Sequence, residues 1–170
     1  MNELIAWGNF YLVVGSAAGA LIGLQFVVLT LIASRPSTQG AEANAAFSTP
    51  TIVHFGNSLL MSAMMLVPWP NLTCFNSVFV VISFFGIIYT SIVARRMKKQ
   101  KAYQPIIHDW FFHFILPLIV YLSVALISFI IYSYINISLL IIGMSVMTLL
   151  FIGIHNAWDA VTYHVFNKNK

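Results

Sequence analysis

Leu118-Ile119-Val120-Tyr121-Leu122-Ser123-Val124-Ala125-Leu126-Ile127-Ser128-Phe129-Ile130-Ile131 is apolar whichever way the chain turns. A half-buried strand would alternate apolar and polar residues, and a surface helix would keep one polar face. Neither pattern is present. A membrane-spanning helix needs about 20 mostly apolar residues, and the surrounding segment 109–133 supplies that length. Barrel strands would instead give segments of about 10 residues with strict alternation. The composition agrees. The 170-residue chain is 60% hydrophobic and 7% charged, where a soluble domain carries roughly 25% charged residues. The fold expected is all-α: a polytopic transmembrane helix bundle in one domain covering 1–170, with lipid as its solvent.

Working outward from that stretch, five spans are expected, at about 10–33, 50–67, 72–94, 109–133 and 137–160. The first carries Gly15, Gly19 and Gly23 at four-residue spacing, a pattern that lets two helices approach closely in lipid. Met1-Asn2-Glu3 has no basic lead-in, so the first apolar run reads as a span and not as a signal peptide. Ser48-Thr49-Pro50 reads as a helix start, with a hydroxyl cap before a proline at the first helical position. The second span contains His54, Asn57, Ser58 and Ser62. It must therefore be sheltered inside the bundle. Arg95 to Lys101 should form a basic loop that ends the third span, and Pro117 should kink the fourth.

The basic residues orient the bundle. All eight, namely Arg35, Arg95, Arg96, Lys98, Lys99, Lys101, Lys168 and Lys170, fall on one side of a five-span arrangement. Lys and Arg near span ends stay cytoplasmic, which predicts the N-terminus outside and the C-terminus inside. The same cluster, Arg95, Arg96, Lys98, Lys99 and Lys101, is suited to anionic lipid headgroups. Its closeness to the bilayer argues against a nucleic-acid role.

This topology gathers most polar groups of the spans into the cytoplasmic leaflet: Gln25, His54, Asn57, His108, Asp109, His113, His155, Asn156 and Asp159, with His164 just beyond. Asp109 and His113 are four residues apart, as are His155 and Asp159, so each pair shares a helix face. The fourth and fifth spans are antiparallel, which brings both pairs to the same depth. Ionisable residues inside a membrane are costly and are functional-site candidates by default.

Three readings follow. His113, His155, Asp159, Asp109 and His54 could ligate a divalent transition metal, since imidazole and carboxylate suit such ions; haem between two histidines is a variant of this. The same residues could relay protons or ions. They could also be interhelical hydrogen bonds that lock the bundle. The function expected is a non-enzymatic integral membrane protein, such as a channel, transporter subunit or accessory protein, in which this layer is an ion site or a lock. A small metal- or haem-dependent intramembrane enzyme is the alternative. The glycine face makes a homo-oligomer the expected assembly.

Gly15-Ser16-Ala17-Ala18-Gly19-Ala20-Leu21-Ile22-Gly23-Leu24 and Ile154-His155-Asn156-Ala157-Trp158-Asp159-Ala160-Val161-Thr162-Tyr163 resemble stretches of small, uncharacterised bacterial integral membrane proteins. The resemblance implies a bacterial cytoplasmic (inner) membrane location and no particular activity.

Overall fold

The structure, a computed structural model, describes residues 2–33, 41–101 and 104–166, with side chains described for 3–31, 48–101 and 104–162. Among these residues there is no strand. The elements are α1 (Asn2–Ala6), α2 (Gly8–Ala33), α3 (Ala41–Met65), α4 (Leu72–Lys99), α5 (Ile107–Trp110), a π-helical turn (Phe111–Ile115), α6 (Leu116–Ile127) and α7 (Ile135–Phe166).

Side-chain contacts fix how the helices run. Gly15 of α2 faces Ser62 of α3, and Gly8 faces Leu66, so these two helices are antiparallel. Phe55 lies on Gly153 and the Ser58 hydroxyl donates to the Val146 carbonyl (3.2 Å), which sets α3 against α7 in the opposite sense. Tyr121 of α6 packs on Gly86 of α4, and the Asn76 amide donates to the Ser128 carbonyl (3.1 Å). The long helices thus alternate in direction. Their C- and N-termini place the basic residues of α4 and the start of α5 at one end, called here the basic end.

Four helical segments are long and apolar enough to cross a membrane: Gly8–Leu31, Leu72–Lys99, Ile107–Ile127 and Ile135–Thr162. Their outward surfaces are as apolar as their inward ones, with Leu24, Phe26, Phe84, Phe85, Leu126, Met144 and Phe151 all exposed. Helices apolar all round suit a lipid solvent. α3 differs. It has the length, but its polar residues lower its apolar character. Thr51, His54, Ser58 and Ser62 recur at helical spacing and are all buried, so the shelter expected for this helix is present.

Several boundaries depart from the sequence expectations. α3 begins at Ala41, and Pro50 lies inside it instead of opening it. The preceding Ala41-Glu42-Ala43-Asn44-Ala45-Ala46 is rich in alanine, the strongest helix former, and carries the helix across the proline. Arg95 to Lys99 are not a loop but the last turns of α4, which is capped by Gln100. Lys and Arg are good helix formers, and cations favour a helix C-terminus. α7 continues to Phe166, past the expected end of the fifth span. α6 stops at Ile127, and turns occupy 128–133.

The irregularity expected at Pro117 takes a particular form. The Leu116 N–H bonds to the Phe111 carbonyl, five residues back. Proline supplies no N–H to the helix, and the chain accommodates it with a wider turn holding one extra residue. π-Turns of this kind often occur at functional sites.

The glycine seam is partly used. A side chain at Gly15 would meet the Ser62 Cβ at 3.1 Å, but Gly19 and Gly23 face open space. Four-residue steps advance about 40° around an α-helix, which turns the later glycines away from α3. The tightest approaches occur elsewhere, at Gly86 beneath Tyr121, Gly143 beneath Trp7 and Gly153 beneath Phe55.

Candidate metal centre

At the basic end, α5 and α7 bring three donor groups together. His155 and Asp159 are one turn apart on α7, with 3.2 Å between Nε2 and Oδ2. His108, from α5, sets its Nδ1 4.0 Å from the same Oδ2. All three donor atoms lie within 4.8 Å of one another. A tetrahedral zinc ion with bonds of about 2.0–2.1 Å needs donors about 3.4 Å apart. The α7 pair already meets that spacing. The His108 side chain is half exposed, so a small rotation of its ring can close the remaining gap. Three protein donors leave a fourth position for water or an exchanging ligand.

Phe112 and the helix ladder hold the site. Phe112, one turn beyond His108 in the π-turn, lies against the His155 ring at 3.7 Å between centroids. The His108 ring is 4.8 Å from both Phe112 and His155. His155 is the most buried of the three ligand candidates. Its Nε2 is close to the carboxylate yet makes no aligned hydrogen bond. That nitrogen is therefore a desolvated donor with no full partner, which normally costs about 1–3 kcal/mol.

The other expected ligands lie elsewhere. Asp109 accepts a hydrogen bond from the Ile106 N–H (2.9 Å) and so secures the start of its own helix, where a carboxylate is favoured by the helix dipole. His113 is buried. Its Nδ1 is 3.1 Å from the Asp109 carbonyl; a carbonyl only accepts, so Nδ1 carries the proton. His54 is wholly buried, and neither ring nitrogen has a hydrogen-bond partner among the described residues. It lies within electrostatic reach of His113. Of the five residues expected to converge, His155 and Asp159 do so; His54 and His113 are buried on α3 and in the π-turn, and Asp109 is taken up at the start of its own helix.

His108 is the site residue that sequence spacing did not rank. The signal was present: His108 and Phe112 are four residues apart, on the face next to the one shared by Asp109 and His113. The remaining polar residues extend the layer. The Asn57 amide donates to the Tyr121 hydroxyl (2.6 Å). Buried Gln25 lines a groove of about 220 Å³ with Phe55, Ile154 and Trp158. Arg95, Arg96, Lys98, Lys99 and Lys101 are exposed, and the Lys98 ammonium sits 5.8 Å above the Trp110 ring. Arg35, Lys168, Lys170 and the His164 side chain lie outside the described residues.

An all-α chain with four helices apolar enough to cross a bilayer is a multi-pass membrane protein in its pattern. No family model, curated protein or solved structure matches the chain, so function has to be read from its geometry.

Proposed function

We propose that this is a non-enzymatic, ion-handling membrane protein that captures a divalent transition-metal cation, with zinc chemistry as the best fit, at a rim site made by His108, His155 and Asp159. The observation that carries this reading is the convergence of two imidazoles and one carboxylate from two helices within 4.8 Å. Neutral imidazole with carboxylate is a favourable donor set for such ions. In this reading α3 is a fifth span, the basic end is cytoplasmic, and the host is a bacterial inner membrane. The exposed cations of α4 then face anionic headgroups, and the open Gly19 and Gly23 surface is where a second copy would pack.

The test is metal content by mass spectrometry on detergent-purified protein loaded with zinc and then dialysed. About one equivalent lost in His155→Ala and in Asp159→Asn supports the rim site. Metal-free protein under the same loading overturns it and leaves the second reading, a His–Asp lock between α5 and α7, supported by the 4.0 Å spacing of His108 and Asp159. A C-terminal reporter that proves periplasmic would overturn the orientation.

A further inference from the structure

The deeper histidines carry an inference that goes beyond the rim site and does not depend on it. Among the described residues, His54 is fully buried with both ring nitrogens unpartnered, and Asn156 is buried with both amide atoms unpartnered. Such atoms are seldom left alone, because each loses its hydration without compensation. Phe55 rests on Gly153, which fixes the level of His54 against α7. Asn156 is one turn along from Gly153 on the same face.

His113 lies in the π-turn that leads into α6. The Asn57–Tyr121 hydrogen bond ties α3 to α6, and both helices run antiparallel to α7. His54, on α3, and His113, in the π-turn before α6, thus lie on the same side of that bond. The His113 ring is also pre-set. Its Nδ1–H donates to the Asp109 carbonyl, which leaves the lone pair on Nε2. Metal-binding histidines are oriented in this way by a carbonyl on the other nitrogen. The ring sits in the π-turn, an irregularity common at functional sites.

We infer that His54 and His113 form a second, buried position for a transition-metal ion, with the Asn156 amide oxygen as an additional neutral donor. Its ligands are distinct from those of the rim site. Water filling the same space is the competing occupant.

The experiment is a Co²⁺ and Zn²⁺ titration of the full chain in detergent, read by bound-metal stoichiometry and by the visible bands of Co²⁺. Two equivalents are expected for the native chain. His54→Gln and His113→Gln should each remove the same equivalent while Asp159→Asn removes the other. A melting curve reports whether each variant is folded, and His113→Gln keeps the test decisive if His54→Gln does not fold. One equivalent in the native chain that both inner variants retain, or two that persist in both inner variants, overturns the inner position. Loss of binding only in Asp159→Asn would leave the rim site standing alone. Loss only in the inner variants would remove the rim site and keep the inner one.

Discussion

Phe112 lies against the imidazole of His155, 3.7 Å between ring centroids with 30° between their planes. Phe112 belongs to the π-turn and His155 to α7, so the contact joins the irregular segment to the helix that carries two of the three rim donors. A ring pinned on one face keeps its nitrogen aimed without help from a hydrogen bond. Phe112→Ala should therefore weaken zinc binding about tenfold, the lower range for loss of an orienting neighbour, without changing the stoichiometry. Competition titration with a chromogenic chelator measures this. Phe112→Leu, which keeps most of the packing, should show a smaller loss.

Pro117→Ala tests whether the π-turn serves the site. Alanine restores the missing N–H, and the segment can then relax to a regular α-helix. Removing one residue from a turn rotates everything before it by about 100°. His108 and Phe112 would leave the face that meets α7. The expected outcome is unchanged or higher thermal stability with at least a tenfold loss of zinc affinity. Unchanged affinity would separate the turn from the site.

Gly153→Ala should destabilise the bundle. An added Cβ would lie 2.5 Å from the Phe55 ring, and overpacking of this kind typically costs 1–3 kcal/mol. Gly23→Ala, with nothing nearby to meet, should leave the monomer's stability unchanged. Thermal unfolding in detergent compares the two. Phe55→Leu should recover part of the loss in the Gly153→Ala background.

Tyr121→Phe removes the acceptor for the Asn57 amide (2.6 Å) and keeps the ring that fills the surface of Gly86. The expected loss is about 0.6–2 kcal/mol, the range for hydrogen bonds between membrane helices. The double variant with Asn57→Ala should cost less than the sum of the single changes.

Asp109 and Asp159 should behave differently, although both are acidic residues of one layer. Asp109→Ala loses the bond to the Ile106 N–H and should cost about 1 kcal/mol, as for a helix cap, with zinc binding retained. Asp159→Asn should keep the fold and abolish rim binding. The two measurements, melting temperature and bound zinc, should therefore move in opposite combinations.

The helical membrane pattern was legible because it rests on long apolar runs, which survive any error in boundaries. The inward turn of α3 was also legible, since His54, Asn57, Ser58 and Ser62 make this helix too polar to face lipid and have to be covered. The grouping of His108 with His155 and Asp159 was less legible. Four-residue spacing pairs Asp109 with His113 on a regular helix. The structure instead gives Asp109 to the Ile106 N–H and directs His108 with Phe112 toward α7. The π-turn that accompanies this arrangement depends on how the chain absorbs the absent N–H of Pro117. Spacing rules for a regular helix contain no such information. The glycine contacts were missed for a related reason. Regular four-residue spacing drew attention to Gly15, Gly19 and Gly23, while the glycines that matter most for packing, Gly86, Gly143 and Gly153, meet aromatic side chains and form no pattern along the chain.

The buried stripe of α3 has a consequence for biosynthesis. Its hydroxyls and imidazole are covered only by the neighbouring helices, so α3 by itself would present them to hydrocarbon. A segment of that kind partitions poorly from the insertion machinery as a single unit. It should remain at the interface, or be held there, until later helices arrive to cover its polar face. Truncated chains that end after α3 should therefore leave this segment accessible from the aqueous side, whereas chains extended through α7 should not.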